Sequence, residues 1–246
     1  MLQLTVMDLD GTLAEFNNSI QPNTIKLLQQ LQNEGIQLVF ISGKPASYVA
    51  GLIRQAGLEK VICIGDNGGV IWFSHDFPPH NPIILEMTNE AAKEMKIIHE
   101  AIIAEFDDSV WIQPSQVTFS LFGRENNIAE VNDFIDRIFK EKQIKHLKNF
   151  KTDGALDILP LNIDKGIALK LVQSKLNIPI KDTAVIGDGS NDFPMFLQGK
   201  IRITFPKSAE LFKQLVPKIV PKIDDALKFL VDLSQFEKKM FVFTLD

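Results

Sequence analysis

The 246-residue chain has 45% hydrophobic and 23% charged residues, the balance of a folded domain that can bury a sizeable core and not that of a disordered chain. Its net charge of −5, with lysines and arginines scattered, argues against a broad nucleic-acid footprint, so an anionic ligand would need locally placed cations. One cysteine, Cys63, excludes an internal disulfide, and no apolar run approaches the roughly 20 residues of a membrane span. With no signal-peptide pattern at the N-terminus, the expected location is cytoplasmic.

Short apolar runs alternate with amphipathic stretches through the first third, the pattern of βαβ units around a parallel sheet. Leu2 to Leu9 reads as a strand. Pro22 suits a helix's first turn, Ile25, Leu28 and Leu31 recur at helical spacing, and Gly35 fits the cap. A strand over 36–41, a helix over 45–55, a strand over 60–64 and a glycine-rich turn at "GDNGG" follow, with strand resuming at 70–73. "SHDFPPHNP" sustains neither helix nor central strand and reads as a linker.

Beyond the linker, a helix capped by Thr88 runs to Phe106, strands cover 110–113 and 116–122, and a helix covers 127–142 before strands at 147–151 and 155–160. Two helix–strand–strand units imply an antiparallel α+β layer. From Lys165 the first texture returns: helices at 165–176, 191–198, 207–215 and 222–233, strands at 183–187 and 201–205, and an edge strand near Ile219 and Val220. "KKMFVFTLD" is expected to add a terminal strand. The expected fold is a doubly wound, mostly parallel α/β core, residues 1–79 and 156–246, with a small α+β cap inserted at 80–155.

Ligands of open parallel sheets bind beyond the carboxyl ends of the strands. There this chain places Asp8-Leu-Asp10-Gly11-Thr12, then Ser42-Gly43-Lys44, then "GDGSND" at 187–192, while Lys165 opens the helix after the cap. Burying unpaired carboxylates in an apolar strand costs several kcal/mol, so a ligand is implied. Four carboxylates, a hydroxyl and a lysine suit Mg²⁺ and a phosphoryl group, and the thiolate or histidine sets of zinc sites are missing. Alternation in an extended segment points Asp8 and Asp10 to one side and Leu9 into packing. One carboxylate can then attack phosphorus while the second protonates the leaving oxygen, and Gly11 leaves amides free for phosphate oxygens.

Asp8-x-Asp10-Gly-Thr, Ser42, Lys165 and Gly187-Asp188-x-x-Asn191-Asp192, in this order, resemble the four motifs of the haloacid dehalogenase superfamily. "DNGG" before the insertion and "LDILPLNIDKG" after it resemble its Cof-type and sucrose-phosphate-phosphatase branch. The resemblance implies a Rossmann-like core with Asp8 as nucleophile, Asp10 as general acid and base, and Ser42 and Lys165 holding the phosphoryl group. It implies Mg²⁺ on the Asp8 side chain, the Asp10 backbone carbonyl and Asp188, with Asp192 supporting the metal or orienting Lys165. Asn191 would contact phosphate. Gly11, Thr12, Ser42, Gly43, Lys44 and Asn67 complete the candidate phosphate or substrate contacts, Lys44 standing where relatives often carry arginine.

The expected activity is therefore hydrolysis of a small phosphomonoester, a sugar phosphate or related metabolite. A phosphotransferase or mutase using the same intermediate, and a phosphometabolite-binding protein with little turnover, stay open. Trp111, Phe119, Phe122 and Arg124 read as sheet packing and the following turn, and Cys63 as core. No heptad seam points to an oligomeric state.

Overall fold

The computed structural model describes residues 1–124, 127–151, 154–208, 210 and 216–243. Two sheets organise it. The larger has eight strands: β1 (Leu4–Met7), β2 (Gln37–Ile41), β3 (Ile62–Gly65), β4 (Val70–Trp72), β5 (Ile83–Ile84), β10 (Thr183–Ile186), β11 (Ile201–Thr204) and β12 (Lys218–Ile219). Their spatial order is β12-β11-β10-β1-β2-β3-β4-β5, parallel as far as β3 and antiparallel at β4 and β5.

The strands between them and the helices sort by which side chains can be buried. Along β1, Leu4 and Val6 point to one face and Met7 to the other, each fully buried, so the sheet needs cover on both sides. On the Met7 face lie α1 (Pro22–Asn33), α2 (Ala46–Gln55) and α7 (Ile223–Phe243), through Leu28, Leu31, Val49, Ile53, Leu227 and Leu230. On the other lie α5 (Lys165–Leu176) and the one-turn α6 (Phe193–Phe196), through Leu169, Val172 and Phe196. Cys63 is buried in the Met7-face core, where desolvation pushes its thiol up to about 12.

The smaller sheet is antiparallel, order β6-β7-β9-β8, from β6 (Val110–Ile112), β7 (Phe119–Gly123), β8 (Leu147–Lys151) and β9 (Ala155–Pro160). Helices α3 (Asn89–Phe106) and α4 (Ile128–Glu141) cover it with Ile98, Ile102, Phe134 and Ile135. Thr88 caps α3 as expected, its hydroxyl accepting from the Ala91 amide. This is the α+β layer expected between two halves of a mostly parallel α/β core.

Several expectations shift. Ile83 and Ile84 pair with β4 in the large sheet, and β9 pairs with β7 and β8, so both crossings between the sheets fall later than the expected 79/80 and 155/156. Apolar strand residues do not reveal which sheet will take them. The expected 191–198 helix is a tight turn at 190–192 followed by α6. The segment expected to form a terminal strand continues α7 as helix as far as Phe243, and its residues 244–246 lie outside the described residues. Most of the expected 207–215 helix lies outside the described residues. No helix among the described residues is long and apolar enough to cross a membrane.

Candidate active site

Register brings the motifs together. Met7 pairs with Ile186 of β10 and with Phe40 of β2, so the residues just beyond these three strands share one edge of the sheet. The ladder extends one bond further, from the Asp8 amide to the Ile186 carbonyl at 3.1 Å, which fixes Asp8 at the rim. Leu9 then turns into the core, as alternation requires.

Lys165, on the first turn of α5, is 1% exposed. Its ammonium donates to Asp8 Oδ1 at 2.8 Å and to Asp192 Oδ1 at 2.6 Å. Asp192 is fully buried, and its Oδ2 accepts the amides of Asp188 and Gly189, both at 2.9 Å. Both Asp192 oxygens are thus engaged, which makes it the brace that aims Lys165 at Asp8. Burial works against the Lys165 charge, but Asp192 and Asp8 outweigh it and raise the ammonium's pKa, so it stays protonated.

Asp8, Asp188 and Asp192 each bring a carboxylate oxygen within 4.8 Å of the others. Burial, then the Asp192 charge, lifts the Asp8 carboxyl well above the usual range, although Lys165 pulls the other way. The same two causes push Asp188 up to about 6, against the Thr12 hydrogen bond. Three carboxylates against one ammonium is an unbalanced cluster. An oxygen-only donor set with excess negative charge fits a hard divalent cation. Asp8 Oδ2 and Asp188 Oδ2 have no hydrogen-bond partner among the described residues, which leaves an acceptor on each carboxylate for such an ion.

The turn after Asp8 differs from expectation. Gly11 adopts φ +82, and a Cβ there would meet Asp188 Oδ2 at 2.3 Å, so the glycine makes room for that carboxylate. Its amide donates to the Ala14 carbonyl and that of Thr12 to the Leu9 carbonyl, so neither is left for phosphate oxygens. The tight turn consumes them internally. The Thr12 hydroxyl donates to Asp188 Oδ1 at 2.6 Å, acting on the acidic cluster. The Asp10 carboxylate lies apart from the cluster, 3.7 Å from the Lys44 ammonium.

Ser42 is buried at the end of β2, its oxygen accepting the Lys44 amide at 3.1 Å. The Asn67 amide nitrogen of the main chain donates to the Ser42 carbonyl, and the Asn67 side chain accepts from Asn191 Nδ2 at 3.1 Å. Ser42, Gly43, Asn67 and Asn191 therefore belong to one connected wall.

The cap supplies groups that the sequence reading did not single out for the site. Gln113 Nε2 donates to the Gly43 carbonyl at 2.8 Å, and buried Asp66 accepts the amides of Gln116, at 2.6 Å, and Val117, at 3.2 Å. Burial raises the Asp66 carboxyl above its ordinary value while these two amides oppose it. The Lys44 ammonium lies 5.0 Å from the centroid of Phe16 and 4.8 Å from that of Phe122, which gives Phe122 a place at the cleft beyond sheet packing. A charged residue inside an apolar run is the signal that would have marked Asp66 in "IGDNGG".

Residues 1–211 match the family model described as sucrose-6F-phosphate phosphohydrolase. Among curated relatives, a putative phosphatase of Mycoplasma pneumoniae is 23% identical over 86% of this chain and 88% of its own. A phosphoglycolate phosphatase of Thermoplasma volcanium is 26% identical over 80% of this chain and 81% of its own. Among solved structures, a haloacid dehalogenase-like hydrolase from Bacteroides thetaiotaomicron superposes with a TM-score of 0.74 at 17% identity, covering 96% of this chain and 99% of that one. A haloacid dehalogenase subclass IIB sugar phosphatase gives 0.68 at 16% identity, covering 98% and 99%. The ordered motifs, the shared fold and the match over most of its length show that this chain belongs to the sucrose-6F-phosphate phosphohydrolase family of haloacid dehalogenase-like phosphatases.

Proposed function

We propose that the protein is a Mg²⁺-dependent phosphatase that hydrolyses a small sugar phosphate or related phosphomonoester through an aspartyl-phosphate on Asp8. The observation that carries this reading is the buried Asp8–Lys165–Asp192 triad beside Asp188, which aims a nucleophilic carboxylate and a cation into an acidic cluster. Asp8, Asp188 and the Asp10 backbone carbonyl, with Asp192 behind them, would hold Mg²⁺. When bound, the ion offsets phosphate charge and relieves the raised carboxyls of Asp8 and Asp188.

In the first half-reaction an Asp8 oxygen bonds to phosphorus, the ester bond breaks, and the Asp10 carboxyl gives its proton to the departing alkoxide. In the second, Asp10 accepts a proton from water, whose oxygen attacks phosphorus. Inorganic phosphate leaves and Asp8 returns as carboxylate. The Lys44 ammonium stands 3.7 Å from the Asp10 carboxylate that exchanges these protons. The Lys165 ammonium and the Ser42 hydroxyl hold the phosphoryl oxygens, with Asn191 on the same wall. The Gln113 bond to Gly43 and the Lys44–Phe122 contact tie the cap over the cleft, limiting bulk water.

The test is phosphate release from an aryl phosphate with and without Mg²⁺, in the wild type and in Asp8→Asn. Release that needs the metal and is lost in the variant is expected. Equal rates in both proteins, or undiminished release in excess chelator, would sink the proposal.

A further inference from the structure

One buried carboxylate beside the site takes no part in the proposed cycle. Along β9, Leu156 and Ile158 enter the cap core, so Asp157 between them points to the opposite face, toward the α/β core. It is 6% exposed, and its Oδ1 accepts the hydroxyl of Ser120, its register partner on β7, at 2.5 Å. No cation pairs with it among the described residues. Its Oδ2 lies 3.5 Å from the position that a Cβ would occupy on Gly43.

The core approaches that same point from the other side. Asn67 is fully buried, held in the left-handed region at φ 50, with its Oδ1 engaged by Asn191. Its Nδ2 has no hydrogen-bond partner and lies 3.1 Å from the same Cβ position. A buried amide donor without an acceptor is destabilising, so this arrangement awaits a partner. An unsatisfied donor and an open carboxylate acceptor face each other across a glycine, next to Ser42 of the phosphate wall.

We infer that Asn67 and Asp157 form a hydroxyl-recognition site, which selects phosphomonoesters carrying a hydroxyl there over those carrying a carboxylate. The inference rests on the phosphatase reading of the neighbouring site. A hydroxyl answers both groups at once, accepting from Asn67 Nδ2 and donating to Asp157 Oδ2. A carboxylate has no proton for Asp157 and brings like charge against a buried anion. Gly43 is fitted to this arrangement, because a side chain there would occupy the space in which the two groups converge.

The experiment measures kcat/KM for racemic glycerol 1-phosphate, propyl phosphate and phosphoglycolate, with an aryl phosphate as reference, in the wild type and in Asp157→Asn. The wild type is expected to favour glycerol phosphate over propyl phosphate and over phosphoglycolate by at least about tenfold, since a site built for a hydroxyl rejects analogues lacking it. In Asp157→Asn both ratios fall toward one. Equal wild-type rates for glycerol and propyl phosphate, a wild-type preference for phosphoglycolate, or ratios that survive the substitution overturn the inference while leaving the phosphatase reading intact. Should the variant fail to fold by circular dichroism, the wild-type ratios decide. A protein that hydrolyses none of the four overturns the phosphatase reading, and the hydroxyl site with it.

Discussion

Asp192→Asn tests the brace behind the site, because it removes a charge while keeping the side chain's shape. The Asp192 carboxylate accepts three hydrogen bonds, from Lys165 at 2.6 Å and from the amides of Asp188 and Gly189 at 2.9 Å. An asparagine has one acceptor oxygen, so it faces either the ammonium or the two amides, and its own NH₂ then opposes the other donors. Deleting one partner of a buried ion pair costs about 3–5 kcal/mol, and each hydrogen bond to a charged group is worth about 1.5–3 kcal/mol. Against this, the Asp192 charge repels Asp8 and Asp188, and its loss relieves both. We expect a net loss of about 2–4 kcal/mol in the metal-free protein. Urea unfolding followed by tryptophan fluorescence, Trp72 being buried, should show a lower midpoint at unchanged slope. The Asp188 carboxyl should also titrate lower than about 6. A stability change under about 0.5 kcal/mol, the range of an ordinary surface substitution, would refute the reasoning.

Two further outcomes follow from the same geometry. Gly11→Ala places a methyl 2.3 Å from Asp188 Oδ2 at φ +82, so divalent-cation affinity measured by calorimetry should fall at least about tenfold, and an unchanged affinity contradicts the role given to Gly11. Asp188 and Asp8 have raised carboxyl pKa values, so above the ordinary 3.8 the folded protein binds more protons than the unfolded chain, for Asp188 up to about 6. The Asp188 contribution to metal-free stability is therefore full below the unfolded value and is lost as pH rises through about 6, and that of Asp8 is lost in the same direction as pH rises through its own raised value. Divalent cation needs the ionised carboxylates, so the Mg²⁺-induced rise in Tm should be small near about pH 5 and large near about pH 7.5. An increment that is equal at both would contradict the cluster's assignment as the ion's site.

Much of the core could be read from the sequence because each strand had to be buried on both faces and each motif had to follow a strand. Asp8, Ser42, Lys165, Asp188 and Asp192 do converge at one sheet edge. What the sequence hid was partnership. Gly11 and Thr12 amides close their own turn, a local competition that spacing does not reveal. Strand residues such as Ile83 and Leu156 look alike whichever sheet accepts them, so the domain crossings moved. Gln113, Phe122 and Asp157 reach the cleft only because the small sheet folds back over the core. Yet "ALDILP" carries the same anomaly as "VMDLDG", an acid in an apolar strand, a signal that could have pointed to Asp157 and was passed over.

The central claim is that Asp8 carries the phosphoryl group. Rapid acid quench of the enzyme turning over an aryl phosphate with Mg²⁺, followed by mass spectrometry of the N-terminal peptide, tests it most directly. A phosphoryl group on Asp8, absent without Mg²⁺ and absent in Asp8→Asn, is the predicted result. Multiple turnovers with no phosphoenzyme at any quench time, or a phosphoryl group on another residue, would contradict it.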